Sequence, residues 1–70
     1  MKFDELDVVV VLKDVNEKIT EGMSGTIVYT VEGTDYYEVE FLDFEGYTID
    51  LVTIEKENLR LEYSIGMHKK

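Results

Sequence analysis

Short runs of apolar and β-branched residues recur along this chain, separated by polar turns, and several of them alternate between apolar and polar positions. Alternation with a period of two is typical of β-strands that bury one face. The runs predict five strands, at residues 7–13, 24–31, 36–42, 46–53 and 59–63. Residues 55–58 are polar and predict a turn, with room for a single turn of 3₁₀ helix.

The first predicted strand is apolar on both faces, because it consists of four valines followed by a leucine. A strand of this kind is expected to be covered on both sides. We expect Val8, Val10 and Leu12 to face the interior of a barrel. Val9 and Val11 are then expected to lie under a loop, a neighbouring segment or a partner.

Glycine positions predict two reversals of the chain. Glycine adopts positive φ without a steric clash, so Gly22 and Gly25 are expected to let the chain turn tightly before the second strand. Residues 43–46 fit a type I turn in which Gly46 takes the left-handed position of a G1 bulge.

The turn at 43–46 also predicts how the third and fourth strands pair, since it sets Asp43 opposite Tyr47. Counting outward from the turn predicts three further pairs: Phe41 with Ile49, Val39 with Leu51, and Glu40 with Asp50. The first two pairs are apolar. Because a slip of one residue would turn the whole apolar set toward solvent, the pairing supports this register.

Together these elements predict an all-β fold, a small five-stranded antiparallel SH3-like barrel. The polar segment 14–21 is expected to arch over one end of the barrel, with Ile19 plugging that end. An oligonucleotide-binding barrel is the main alternative, but it needs a helix between the third and fourth strands, where residues 43–46 leave no space. We expect a single domain over residues 1–70, with its core at about 5–63 and a flexible tail at 64–70.

Composition narrows the choice of partners. The chain has 70 residues, no cysteine, and a formal net charge of -9 from sixteen acidic and seven basic residues. Such a charge repels phosphate groups, so nucleic acid is a poor candidate partner and a basic protein surface is a better one. The longest apolar run is too short to span a bilayer, and the N-terminus lacks the apolar region of a signal peptide. We expect a soluble cytoplasmic protein without membrane association, with which the lack of cysteine is compatible.

The chain offers no arrangement typical of catalysis. His68 is the sole histidine and lies in the predicted tail, no serine lies near a base, and no glycine-rich loop ends in Lys-Ser or Lys-Thr. Asp43, Glu45 and Asp50 carry oxygens of the kind that calcium prefers, but their spacing matches no calcium-binding loop. We therefore predict no enzymatic activity, no metal site and no cofactor.

Three blocks of sequence carry a resemblance to a known family: ELDVVVVLKD at residues 5–14, GMSGTIV at 22–28 and YEVEF at 37–41. The chain resembles a family of small bacterial and archaeal domains of unknown function with the patterns ELDxVxLxxD, GxxGTIV and YEVEF, over about residues 3–62. Genes of that family often lie beside a small partner gene, an arrangement similar to toxin–antitoxin and immunity pairs. The resemblance implies a binding protein rather than an enzyme, and it assigns no functional residues.

The predicted partner-binding residues combine carboxylates with aromatic side chains: Tyr36, Glu38, Glu40, Phe44 and Asp50. Glu40 opposite Asp50 would be a like-charge pair that costs up to about 1 kcal/mol. A sheet face that tolerates this cost suits a cationic partner; the alternative explanation is that the two carboxylates are solvated and splay apart. Aromatic side chains are enriched in binding hot spots; for Tyr36 and Phe44, packing against the barrel is the alternative.

We therefore predict a non-enzymatic protein-binding module, antitoxin-like or immunity-like, that covers a basic surface of a partner protein encoded by a neighbouring gene. The GMSGTIV block also resembles the KOW type of SH3-like module, which implies contact with RNA or a ribosomal protein as an alternative. KOW modules usually carry basic residues, whereas the strands here carry Glu32, Asp35, Glu38, Glu40 and Asp50. A homo-oligomer formed through an exposed barrel edge is a further alternative.

Overall fold

The computed structural model describes residues 2–64, which form one antiparallel sheet and one short helix. In chain order the elements are β1 (Val8–Val11), β2 (Ser24–Thr30), β3 (Tyr36–Leu42), β4 (Thr48–Glu55), the 3₁₀ helix η1 (Lys56–Asn58) and β5 (Leu59–Tyr63). The strand order across the sheet is β4-β3-β2-β1-β5. The predicted all-β fold with five antiparallel strands is confirmed. β4 and β5 are the two edges, and the hydrogen-bonded sheet is not closed between them.

The core lies on one side of this sheet. Its buried residues come from all five strands and from two flanking segments: Phe3, Val9, Val11, Ile19, Ile27, Tyr37, Val39, Phe41, Ile54 and Leu59. Ile19, in the loop between β1 and β2, is completely buried. Its predicted role as an apolar plug is consistent with this position.

The prediction for the two faces of β1 was wrong. Val9 and Val11 are completely buried in the core, whereas Leu12 is 43% exposed and lies beyond the end of the strand. The reason is the pairing of β1, since Val9 lies opposite Gly25 of β2 and Val11 opposite Leu59 of β5, both of which face the core. A strand that is apolar on both faces contains no period-two signal from which its inner side could be read.

The turn between β3 and β4 has the predicted geometry. Asp43 N donates to Tyr47 O at 2.9 Å, Gly46 N donates to Asp43 O at 3.0 Å, and Gly46 has a φ of 89°. This left-handed conformation favours glycine, as the sequence predicted.

Beyond this turn, the predicted register of β3 and β4 was wrong. Leu42 pairs with Thr48, but Phe41 pairs with Asp50, so Ile49 is an additional residue on β4 and forms a bulge. The remaining pairs are displaced by one position: Glu40 with Leu51, Val39 with Val52, Glu38 with Thr53 and Tyr37 with Ile54. The predicted pairs of Phe41 with Ile49, Val39 with Leu51 and Glu40 with Asp50 do not form.

The two glycines before β2 have different roles. Gly22 has a φ of 92° and lies in the turn, as predicted. Gly25 lies inside β2, and a Cβ atom there would come within 2.7 Å of Phe41 Cε1 and of Val39 Cγ1. Glycine is therefore required at position 25 because the side chains of Phe41 and Val39 on β3 leave no room for a Cβ atom. The predicted role of Gly25 in the turn was wrong.

Ser64 is buried and follows β5 directly, although we predicted that the flexible tail begins there. The rest of the predicted tail, residues 65–70, lies outside the described residues, as does His68.

Candidate functional site

The side of the sheet that faces away from the core carries most of the predicted binding residues. Because the side chains of a strand alternate and Tyr37, Val39 and Phe41 are buried, the other residues of β3 point to the opposite side. We call this side the outer face and define it by Thr26 and Tyr29 of β2, Tyr36, Glu38, Glu40 and Leu42 of β3, and Thr48, Leu51, Thr53 and Glu55 of β4.

Two carboxylates lie at the centre of the outer face, each between uncharged neighbours. Glu38 is flanked by Tyr29 on β2 and Thr53 on β4, and Glu40 is flanked by Thr26 and Leu51. Glu40 Oε2 also accepts a hydrogen bond of 2.9 Å from Thr48 Oγ1. The predicted cross-strand pair of like charges is therefore absent, and with it the predicted electrostatic cost.

Large side chains surround these carboxylates and remain in solvent. Tyr29 is 54% exposed, Tyr36 45% and Leu51 53%. The sequence analysis identified Tyr36 but missed Tyr29 and Leu51. A bulge at Val28 shifts Tyr29 onto the outer face, and the bulge at Ile49 does the same for Leu51. Neither bulge has a glycine or another signal in the sequence that would reveal it.

Asp50 does not lie on the outer face with the other predicted residues. It pairs with Phe41 on the core side of the sheet and is only partly exposed. Its Oδ2 atom accepts a hydrogen bond of 3.2 Å from Asn16 Nδ2, and its Oδ1 atom accepts one of 3.0 Å from Leu51 N. The carboxylate of Asp50 therefore ties the β1–β2 loop to the edge strand β4.

Phe44 lies in the hairpin that joins β3 to β4. We call residues 42–47 the hairpin tip. The side chain of Phe44 is fully exposed, that of Tyr47 is 69% exposed, and that of Leu42 is 49% exposed. The alternative in which Phe44 packs against the sheet is thus excluded. Asp43 Oδ1 accepts hydrogen bonds from Glu45 N at 2.9 Å and Tyr47 N at 3.0 Å, so this carboxylate serves the turn.

The net charge of the protein is concentrated in one stretch of the chain, which contains β2, β3, β4 and the turns beside them. Between residues 19 and 55, which include β2, β3 and β4, the chain has no lysine, arginine or histidine. The acidic residues of this stretch are Glu21, Glu32, Asp35, Glu38, Glu40, Asp43, Glu45, Asp50 and Glu55. Their nine charges equal the net charge of -9, because the remaining residues hold seven acids and seven bases. This asymmetry is already visible in the sequence.

A cleft of about 420 Å³ lies between the N-terminal segment and the β2–β3 turn. Its lining includes three acidic residues, Asp4, Glu5 and Glu32, and one lysine, Lys2, together with Tyr29. The cleft therefore continues the outer face at Tyr29 and is also acidic.

Within residues 2–64, no group of three or more His, Cys, Asp or Glu side chains is arranged to hold a metal ion. Nor does any helix in this part of the chain have the length and hydrophobicity that a membrane crossing requires.

The family model described as a domain of unknown function (DUF4926) matches residues 5–61. The match covers most of the chain and confirms the predicted relation to a family of small domains of unknown function. No curated protein and no solved structure matches the chain.

Proposed function

We propose, from the premise that the chain belongs to the DUF4926 family of domains of unknown function, that it is a non-enzymatic protein-binding module. Its outer face would cover a basic surface of a partner protein. The observation that carries this proposal is the coincidence of two features in the stretch 19–55, which contains β2, β3 and β4: nine acidic residues without a basic one, and tyrosine and leucine side chains exposed on the outer face.

The composition of the outer face suits protein binding. Tyrosine buries a large apolar ring while its hydroxyl keeps a hydrogen-bonding partner, and it is enriched in hot spots. Tyr29 lies directly opposite Glu38 on β2, and Tyr36 lies two positions before Glu38 on β3, so aromatic area and negative charge lie side by side. The carboxylates would steer a basic partner toward this face and fix its orientation, while the apolar contacts would supply most of the affinity.

The fold proposed for this module is an SH3-like barrel. In its support, the first and last strands are neighbours in the sheet, and the 3₁₀ helix η1 directly precedes the last strand. The highly curved sheet of such a barrel presents one convex surface to solvent, and the outer face would be that surface.

The biological role proposed is antitoxin-like or immunity-like, and the first partner to test is the product of the neighbouring gene. A strongly acidic small domain is suited to blocking a basic surface on such a protein, because charge complementarity accelerates association. In this proposal the complex forms in the cytoplasm, with which the absence of cysteine is compatible.

A titration of the purified neighbouring gene product with this domain tests the proposal. The double variant Glu38→Gln/Glu40→Gln removes two charges from the outer face, and glutamine can still accept the hydrogen bond from Thr48. The matched control is Glu17→Gln/Glu57→Gln, which removes two charges from exposed positions outside the outer face. We expect the first variant to weaken binding and reduce its salt dependence, and the control to resemble the wild type.

Two results would contradict the proposal: no complex at low salt, or equal losses in the two double variants. A parallel titration of this domain with RNA distinguishes the proposed protein-binding module from the KOW-like alternative. We expect no RNA binding at physiological salt, because β2, β3 and β4 carry no basic residue that could neutralise phosphate. Saturable RNA binding would favour the alternative.

A further inference from the structure

The side chain of Phe44 is fully exposed at the hairpin tip, where a turn needs no large apolar residue. Single exposed apolar side chains are common on protein surfaces, but here a fully exposed phenylalanine has two large exposed neighbours, Leu42 and Tyr47, within one short hairpin. The hairpin tip thus holds the most exposed large apolar side chain among residues 2–64. Groups of exposed apolar side chains mark interaction sites more often than ordinary surface does.

The turn that carries Phe44 is held in place by the residues on either side of it. Asp43 accepts two backbone hydrogen bonds through Oδ1, from Glu45 and Tyr47, and its own backbone forms two more, with Tyr47 O and Gly46 N. Because the backbone around Phe44 is already fixed, little backbone conformational entropy remains to be lost when its ring is buried by a partner.

The charges around the hairpin tip identify the kind of surface that could receive it. Glu45 is exposed within the tip, Glu40 lies on the strand leading into it, and no basic residue occurs between 19 and 55. A second copy of this chain would bring nine further net negative charges and is disfavoured. A pocket with lysine or arginine at its rim complements both the ring and the carboxylates.

We propose that the hairpin tip is a preformed plug: Phe44 enters an apolar pocket with a basic rim on the partner protein, and Leu42 and Tyr47 cover the mouth of that pocket. This inference rests on the proposed function, since it assumes a basic protein partner. It adds a second contact, at one end of the sheet, to the contact made by the outer face.

The first experiment locates the contact. A photoreactive phenylalanine analogue is placed at position 44, or at the exposed control position 57 of η1, and the cells are irradiated. We expect an adduct with one basic protein from position 44 and not from position 57. Adducts between two copies of this chain, identical adducts from both positions, or no adduct would overturn the inference.

The second experiment measures the contact with the crosslinked protein in purified form. Phe44→Ala is expected to raise Kd about tenfold or more, as for a hot-spot residue, with an unchanged salt dependence because no charge is lost. Asp43→Ala keeps the ring but loosens the turn, and is expected to raise Kd by about threefold to tenfold, with the preorganisation lost. The midpoint of unfolding of Phe44→Ala is expected to equal that of the wild type, since the side chain is fully exposed.

The same titrations separate this inference from the proposed function. If Glu38→Gln/Glu40→Gln weakens binding and Phe44→Ala does not, the plug is wrong and the outer face alone carries the interaction. If Phe44→Ala weakens binding and the charge variant leaves both affinity and salt dependence unchanged, the plug stands and the role proposed for the outer face fails.

Discussion

The Asp7 carboxylate accepts a hydrogen bond of 2.8 Å from the Ser64 hydroxyl, and it thereby joins the start of β1 to the end of β5. Both side chains are buried. The second oxygen of Asp7 accepts a hydrogen bond of 2.8 Å from Asp4 N. One buried carboxylate therefore fixes both the N-terminal segment and the chain that follows the last strand.

Asp7→Ala is expected to lower the free energy of unfolding by about 1–3 kcal/mol, because it leaves the Asp4 amide and the Ser64 hydroxyl without their acceptor. Ser64→Ala removes one of the two bonds and is expected to cost about 1 kcal/mol. Urea denaturation of both variants measures these losses. Asp4→Ala is the control, since its carboxylate is exposed; a loss as large as that of Asp7→Ala would contradict the role assigned to the Asp7 side chain.

The sequence predicts the strands of this fold well where alternation is regular. The predicted bounds of the third strand, 36–42, are those of β3, because apolar and acidic residues alternate at its centre, over 37–41. The turn that follows was also predictable, since Gly46 and Asp43 have chemically specific roles in it. The register beyond the turn was not predictable, because the local sequence contains no signal of the bulge at Ile49.

The candidate site was predictable to the same extent. Tyr36, Glu38 and Glu40 share a face because they lie at alternate positions of one strand. Asp50 was assigned to that face through a register that was wrong by one residue, and one residue is enough to move a side chain to the other side of a sheet. Tyr29 was not predicted to lie on the outer face, because the bulge at Val28 changes the side of the sheet to which the Tyr29 side chain points.

Gly25→Ala is expected to destabilise the protein by about 1–3 kcal/mol, the usual cost of placing an extra methyl group in a packed core. The new Cβ atom would lie 2.7 Å from both Phe41 Cε1 and Val39 Cγ1, and the rigid strand β3 leaves these side chains little freedom to move. Urea denaturation measures the loss.

A second substitution tests whether the crowding at Gly25 is the cause. Phe41→Leu removes the ring atom Cε1 and is itself expected to destabilise the core. In the double variant Gly25→Ala/Phe41→Leu the two losses are expected to sum to less than their separate values, because the smaller side chain makes room for the methyl group. Strictly additive losses would show that the clash with Phe41 is not what makes glycine necessary.

Leu6 is the one residue other than glycine that has a positive φ among residues 2–64, with a value of 76°. It lies in the turn closed by the hydrogen bond from Asp7 N to Asp4 O, and its side chain is 58% exposed. A left-handed conformation costs a residue with a Cβ atom roughly 1–2 kcal/mol. Asparagine tolerates this conformation better than leucine does.

Leu6→Asn is therefore expected to raise the free energy of unfolding by about 0.5–1 kcal/mol, since it relieves backbone strain and removes little buried area. Thermal unfolding measures the gain. The matched control is Leu12→Asn, which replaces an exposed leucine that has no positive φ. Stabilisation of equal size in both variants would assign the gain to the loss of an exposed leucine and not to the relief of strain.

On the edge strand β4, the side chain of Asp50 accepts a hydrogen bond from a backbone N–H group that does not pair with β3. Lys56 N donates to Asp35 O, and the regular pairs from Glu55 to Leu51 then place the N–H group of Leu51 on the side away from β3. That N–H group donates to Asp50 Oδ1 at 3.0 Å. A free N–H group at a sheet edge is a template for pairing with another chain, and charged side chains are a usual protection.

Asp50→Ala is accordingly expected to make the protein self-associate as its concentration rises, because the variant exposes the Leu51 N–H group and releases the β1–β2 loop at Asn16. Sedimentation velocity over a range of concentrations measures this. Glu57→Ala is the control, since it removes the same charge from an exposed position outside the strand β4. Asp50→Asn keeps an acceptor for Leu51 N but loses the charge, and is expected to sediment like the control. If Asp50→Asn self-associates as Asp50→Ala does, the charge and not the backbone hydrogen bond protects this edge; if Asp50→Ala sediments like the control, the prediction is wrong.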